Sequence, residues 1–354
     1  MHITQVINNL GTGGAENLVV NLAHEIRLSG HESRIVLLAE SPGIPMRKAQ
    51  ELGLEVVSIG ESLRDPRSVR ALGKLSRATD VMHVHLFPAL YLAALAKTHA
   101  PKIYTEHSST NRRRGKRLFY PLERRAYGAY DRLTAVSVGA QESLQRHIER
   151  IGGANEVGVI HNGISTEFFD TPIARPSPRA EPMSLLAVGT LDFRKNFSAA
   201  IDAVGRTSGV SLTIVGSGPD ESKLRESILA KGLEHRITLR PATSEIRQIM
   251  DEHDILLSSS LFEGFGLVAA EALSRGLPVI GPDVPGFREV VINQSTGLLY
   301  EVGSVPAMSA AIATLRDDRT VCIAFSKNAI ENRDRFRMRD TASNYVKEYQ
   351  AVTR

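Results

Sequence analysis

Short β-branched runs alternate with amphipathic stretches along this chain, stop at a cluster of prolines, and then resume. That rhythm is the signature of parallel sheets with helices on both faces, because parallel neighbours need a long and usually helical crossover. In the first half, residues 3–7, 34–38, 55–59, 81–85, 103–105, 133–136 and 157–160 read as strands, and 16–29, 68–78, 89–98, 117–130 and 140–148 as helices. Pro172, Pro176, Pro178 and Pro182 make a helix untenable across 171–182, which reads as a linker. Strands restart at 185–188, 212–215, 237–239, 255–257 and 278–280, with helices at 199–204, 220–230, 244–252 and 268–275, and residues from 305 onward are mostly helical. At 354 residues the chain exceeds what one core usually organises. The expected fold class is α/β: two Rossmann-like, doubly wound parallel-sheet domains, 1–170 and 183–354, facing a shared cleft. The last helix, about 336–354, is expected to cross back onto the first domain.

The composition excludes several classes. The longest nearly apolar run, 87–96, is too short to span a bilayer, and the N-terminus lacks the features of a signal peptide, which reads as a cytoplasmic chain. Residues 1–170 carry 21 Lys/Arg against 17 Asp/Glu, and the remainder 22 against 22, an excess too small for a nucleic-acid binder. The one cysteine, Cys322, sits in an apolar stretch and reads as a small hydrophobe.

Three segments carry chemistry. Gly13 and Gly14 lie in a glycine-rich turn after the first strand, where backbone amides at a helix start attract anions, although the same turn could serve without a ligand. Arg194 and Lys195 follow the first strand of the second domain, placed to neutralise a diphosphate or else to lie solvated in a loop. Glu263 and Glu271 bracket a Gly-x-Gly turn, so that one falls in a loop and the other inside the helix opened by Gly266 and Leu267. Carboxylates there accept hydrogen bonds from sugar hydroxyls, and an ordinary helix surface would look the same.

In order along the chain stand GGAEN at 13–17, HVH at 83–85, TEH at 105–107, AVS at 135–137 and HNGI at 161–164. VGTLDFRKN follows at 188–196, LTIVGSGP at 212–219, FEGFGLVAAEA at 262–272 and PVI at 278–280. The ordered set resembles glycosyltransferase family 4, the retaining GT-B family, from residue 1 to about 300. The resemblance implies that Lys195 and Arg194 face a donor diphosphate. Many members have an arginine where this chain has Thr190, and Arg194 stands in for it. It further implies that Glu263 meets the transferred sugar, that Gly266 and Leu267 offer amides to phosphate, and that Glu271 binds the ribose. His107 would sit beside the anomeric centre and Gly14 near the phosphates or acceptor, while His83 and His85 read as packing or cleft-lining residues.

The implied activity is retaining transfer from a UDP- or GDP-sugar, a co-substrate rather than a cofactor, to a lipid-linked or glycan acceptor in envelope or exopolysaccharide assembly. No Asp-x-Asp triplet occurs, so neither a metal nor a cofactor is expected. The alternatives are a nucleotide-sugar 2-epimerase and a non-catalytic nucleotide-sugar-binding protein. Arg112, Arg113, Arg114, Lys116, Arg117, Arg124 and Arg125, interleaved with aromatic residues, suggest an anionic membrane surface as a partner, or a solvated helix face with Glu123 as partial counter-charge.

Overall fold

The computed structural model describes residues 1–111, 114–170 and 182–353. The chain divides into two compact units, Met1–Gly163 with Met338–Arg354, and Ile164–Arg337. The segment 171–182 read as a linker lies, but for Pro182, outside the described residues.

The first unit holds a seven-stranded, all-parallel sheet of β1 (His2–Ile7), β2 (Glu32–Leu37), β3 (Glu55–Ser58), β4 (Val81–His85), β5 (Lys102–Glu106), β6 (Arg132–Ala135) and β7 (Val157–Val159), in the order β3-β2-β1-β4-β5-β6-β7. Because β1 starts in the middle, the order reverses between β1 and β4. Strands covered on both faces should be apolar throughout, and β4 is wholly buried yet reads Val-Met-His-Val-His. Its period-2 alternation puts His83 and His85 on one face, in register with Gln5 of β1 and Thr105 of β5. The helix Met338–Val352 lies over this polar row, and its Tyr345 and Tyr349 are buried in one cluster with Leu18, Leu22 and Ile26 of the helix Gly14–Leu28.

The second unit holds a six-stranded parallel sheet of β8 (Met183–Val188), β9 (Val210–Val215), β10 (Ile237–Arg240), β11 (Ile255–Leu257), β12 (Val279–Pro282) and β13 (Gly297–Tyr300), ordered β10-β9-β8-β11-β12-β13. The reversal falls between β8 and β11. The core joins the inner faces of β8, β9 and β11 to Ala200, Ile201 and Val204 of the helix Phe197–Arg206 and to Met308, Ile312 and Leu315 of the helix Val305–Asp317.

Two features of the basic segment differ from the sequence reading. Arg112 and Arg113 lie outside the described residues, whereas Arg114 is buried and ion-paired with Glu106 at the end of β5, so it cannot meet a membrane. Glu123 is buried, accepts a hydrogen bond from Tyr91 at 2.9 Å and pairs with His147 at 2.7 Å. The expected helix 117–130 is a 3-10 turn, Arg117–Phe119, followed by the helix Tyr120–Tyr127. Among the described residues no helix is long and apolar enough to cross a membrane.

In the second unit the buried Arg275 donates to both carboxylate oxygens of Asp251, at 2.9 and 2.8 Å. Removing the carboxylate leaves a desolvated guanidinium, whereas an apolar replacement of the arginine removes both the charge and its desolvation cost. Asp251→Ala is therefore expected to cost about 2–3 kcal/mol in urea unfolding and Arg275→Met clearly less. Equal losses would show that the pair acts only by packing.

Candidate functional site

In the second unit the loops that leave β8 and β11 emerge at the strand-order reversal, where open parallel sheets leave a crevice. The loop after β8 carries Arg194 and Lys195, and that after β11 carries Glu263. Lys195 Nζ donates to Glu263 Oε1 at 2.6 Å, with the two side chains 25 % and 14 % exposed. Ser260 Oγ donates to the same carboxylate oxygen at 2.7 Å, Ser259 Oγ to the Lys195 carbonyl at 2.7 Å, and the Leu261 amide to the Arg194 carbonyl at 2.8 Å. Two loops nearly seventy residues apart in sequence are thus tied as one surface. The methylenes of Lys195 run so close across Gly189 that a Cβ there would meet them at 3.0–3.2 Å. Arg194 is placed differently: its guanidinium folds back on Asp192, Nε to Oδ2 at 2.9 Å, and stays 60 % exposed. Although burial pushes the Asp192 carboxyl up, hydrogen bonds from Arg194 hold it below the usual range.

Gly266 caps the helix Leu267–Ser274 at φ +96°, a left-handed conformation that favours glycine, and a Cβ would meet the Phe287 ring at 3.1 Å. Its loop also rests on Gly286, where a Cβ would lie 2.6 Å from the Gly264 carbonyl, and Tyr300 of β13 donates to the Ser258 carbonyl at 2.8 Å. Glu271 is half-buried inside the helix. Sequence reasoning gave no role to Ser259, Ser260, Gly286 or Tyr300. The run of three serines ahead of Glu263 was the one signal available, since hydroxyls clustered at a strand's end have backbone and carboxylate partners within reach.

The first unit holds the remaining candidates. Gly13 is the extended N-cap of the helix Gly14–Leu28, and the Glu16 carboxylate folds back over it, so close that a Cβ on Gly13 would overlap Oε2. A negative group therefore already lies at this helix start, which opposes phosphate there. His107 follows β5 and is half-buried, its Nε2 3.0 Å from His85 Nδ1. Burial pushes His107 down to about 4, and burial followed by neighbouring imidazoles lowers His83 and His85 well below the usual histidine value. All four ring nitrogens of His83 and His85 are hydrogen-bonded, to Tyr349, Thr105, His107 and Gln5, so this pair forms a closed polar network.

Known proteins resemble the chain along nearly its whole length. The family described as Glycosyltransferase Family 4 matches residues 12–168, and that described as Glycosyl transferases group 1 matches residues 171–332. A glycogen synthase of Mycobacterium tuberculosis (strain CDC 1551 / Oshkosh) is 29 % identical over 68 % of this chain, and the match spans 60 % of the synthase. A phosphatidyl-myo-inositol mannosyltransferase of Mycolicibacterium smegmatis is 28 % identical over 96 % of this chain and 91 % of its own length. Among solved structures, Anabaena Alr3699/HepE in complex with UDP and glucose superposes with a TM-score of 0.87 at 20 % identity, covering 99 % of this chain and all of that one.

The histidine network is expected to make the first unit acid-sensitive. Below about pH 6.5 an unfolded chain protonates histidines that the folded chain keeps neutral, so stability is full above that pH and lost as pH falls toward the depressed folded values. The unfolding free energy from urea titration is expected to drop between pH 7 and pH 5, by roughly 1–2 kcal/mol per pH unit, and to drop less in His85→Gln. An equal drop in both proteins would place the sensitivity elsewhere.

Proposed function

The chain belongs to glycosyltransferase family 4, the group 1 glycosyltransferases of GT-B fold, and from that premise we propose that it transfers a hexose, with retention and without metal, from a nucleotide-diphosphate sugar to an acceptor hydroxyl. The observation that carries the reading is the Lys195–Glu263 pair at the strand-order reversal of the second sheet, beside the helix that opens at Gly266. In this reading Lys195 and the amides of Gly266 and Leu267 face the diphosphate, because a cation and a helix start both attract it. Glu263 accepts hydrogen bonds from the transferred sugar, Glu271 holds the ribose, Arg194 is an outer cation that first has to leave Asp192, and His107 is assigned to the sugar. The UDP bound by the Anabaena protein supports a uridine donor. Charge develops on the leaving diphosphate as the glycosidic bond breaks, and a positioned cation stabilises that charge more than the ground state.

We place the acceptor in envelope or exopolysaccharide assembly, as the lipid acceptor named for the Mycolicibacterium relative suggests. The surface around Arg117–Phe119 supports contact with an anionic leaflet: Leu118 is 88 % exposed, and the exposed Leu122 lies among the exposed cations Lys116, Arg117, Arg124 and Arg125. Binding to vesicles containing anionic lipid is expected to weaken with salt and to fall in a Leu118→Ser, Lys116→Ser, Arg117→Ser variant. Unchanged binding would remove the membrane from the reading.

The catalytic assignment is tested by kinetics in excess chelator. Activity is expected to persist. Glu271→Ala should raise the donor KM with kcat largely kept, because the ribose does not change charge during transfer. Lys195→Ala should lower kcat by ~10²-fold. A full kcat in Lys195→Ala would make the lysine a docking residue only, and loss of activity in chelator that manganese restores would overturn the metal-free mechanism.

A further inference from the structure

The polar row beneath the C-terminal helix ends at His107, and its hydrogen bonds can be followed proton by proton. Gln5 Oε1 lies 2.9 Å from His85 Nε2, and a carbonyl oxygen only accepts, so His85 carries its proton on Nε2. A neutral His85 then has a bare Nδ1, and the nitrogen 3.0 Å away, His107 Nε2, must donate to it. His107 Nδ1 is left without a proton and has no hydrogen-bond partner among the described residues, on a ring that is only half-buried.

The orientation of Gln5 governs this order, and the C-terminal helix holds Gln5. Its Nε2 donates to the Tyr349 hydroxyl at 3.3 Å, and that hydroxyl in turn donates to His83 Nδ1 at 2.8 Å. His83 Nε2 consequently donates to Thr105 Oγ1 at 2.7 Å. Thr105, which also accepts from the Tyr345 hydroxyl at 3.1 Å, passes its proton to Thr134, 2.7 Å away, and Thr134 donates to the Tyr104 carbonyl at 3.3 Å. Every proton then has one place, with the Thr105 hydroxyl accepting twice, from His83 and from Tyr345. Turning the Gln5 amide over would reverse His85 and present His107 with a proton outward instead of a lone pair.

We propose that Gln5 and Tyr349 are positioning residues for His107: acting through His85, they fix His107 as the Nε2-protonated tautomer and turn Nδ1 outward as an acceptor for a sugar hydroxyl. The burial that keeps all three imidazoles neutral makes a single tautomer meaningful. The functional half rests on the reading that His107 meets the transferred sugar, whereas the tautomer itself is a property of the free protein.

The test is nitrogen NMR of the full chain labelled at histidine, at pH 7.5, with steady-state kinetics alongside. His107 is expected to be protonated at Nε2 alone in the native protein and to become a tautomer mixture in Tyr349→Phe and Gln5→Leu. Gln5→Glu, which keeps an acceptor opposite His85, should retain the single form. The two disrupting variants should lose kcat in proportion to the Nε2-protonated fraction that remains, about twofold for an even mixture, with UDP affinity unchanged. A structural role alone would move the unfolding midpoint and leave the tautomer as it was. An Nδ1-protonated His107 in the native protein, or one unaltered in both variants, overturns the proposal. If the tautomers behave as expected while His107→Ala keeps its full kcat, the relay stands and the assignment of His107 to the sugar fails.

Discussion

In a parallel sheet every strand leaves by the same edge, and where the chain starts at the centre its first and fourth strands send their connections to opposite faces. Both sheets here obey that constraint, with reversals between β1 and β4 and between β8 and β11. The loops that part at such a point leave a gap lined by backbone amides and loop side chains, which is why ligands bind there. In the first unit Asn8 spans the parting loops, donating to the Phe87 carbonyl at 2.6 Å and accepting from the Ala89 amide at 3.2 Å. In the second the span is ionic, Lys195 to Glu263. The same topology that makes each sheet also decides where its reactive side chains gather.

Much of this was legible in the sequence because the strands are short, β-branched and regularly spaced. All seven strands of the first sheet and five of the second were read within a few residues of their places. Three of the elements that escaped have a residue that normally breaks structure at or beside their first position. The helix Ile44–Glu51 has Pro45 in its first turn, where the missing N–H costs nothing, so a breaker served as a starter. Strand β13 begins at Gly297, which reads as a turn but is needed because a Cβ would lie 2.0 Å from the Val279 carbonyl. The helix Pro285–Arg288 is four residues long, below the reach of any periodicity. Of the candidate site, the motif residues were visible and their partners were not: nothing in the spacing pairs Lys195 with a glutamate 68 positions away.

Charge was the least legible property. A run such as that from Arg112 to Arg125 looks like one basic surface in one dimension, yet folding divides it by side-chain direction. Arg114 turns inward to Glu106, whose position at the end of β5 leaves its carboxylate buried, and a buried carboxylate without a cation would be far more costly than the pair. Their pairing fastens the segment after His107 to the sheet. Lys116, Arg117, Arg124 and Arg125 remain outside. Likewise the glycine turn at Gly13 has the look of an anion cradle in one dimension, and in the fold the Glu16 carboxylate lies over it. In both cases the decisive group was a neighbour of opposite or like sign that composition counts but cannot place.

The Lys195–Glu263 pair also sets terms for any anion that arrives. The ammonium has three N–H donors, and Glu263 is its one side-chain partner among the described residues, so it can face a phosphate without giving up the carboxylate. Glu263, bonded at one oxygen by Lys195 and Ser260, is held in a single orientation before any ligand binds. Had the carboxylate lain there alone it would have repelled any anion that approached. Had the lysine lain alone, its four-carbon stem would have lost rotamer freedom only on binding. Pairing them settles both costs during folding, and the Ser259 and Leu261 bonds to the lysine's own loop make that order a property of the two loops together. A site built this way is held in place because its charges oppose one another, and it can still donate to an incoming anion because the lysine has N–H groups left over.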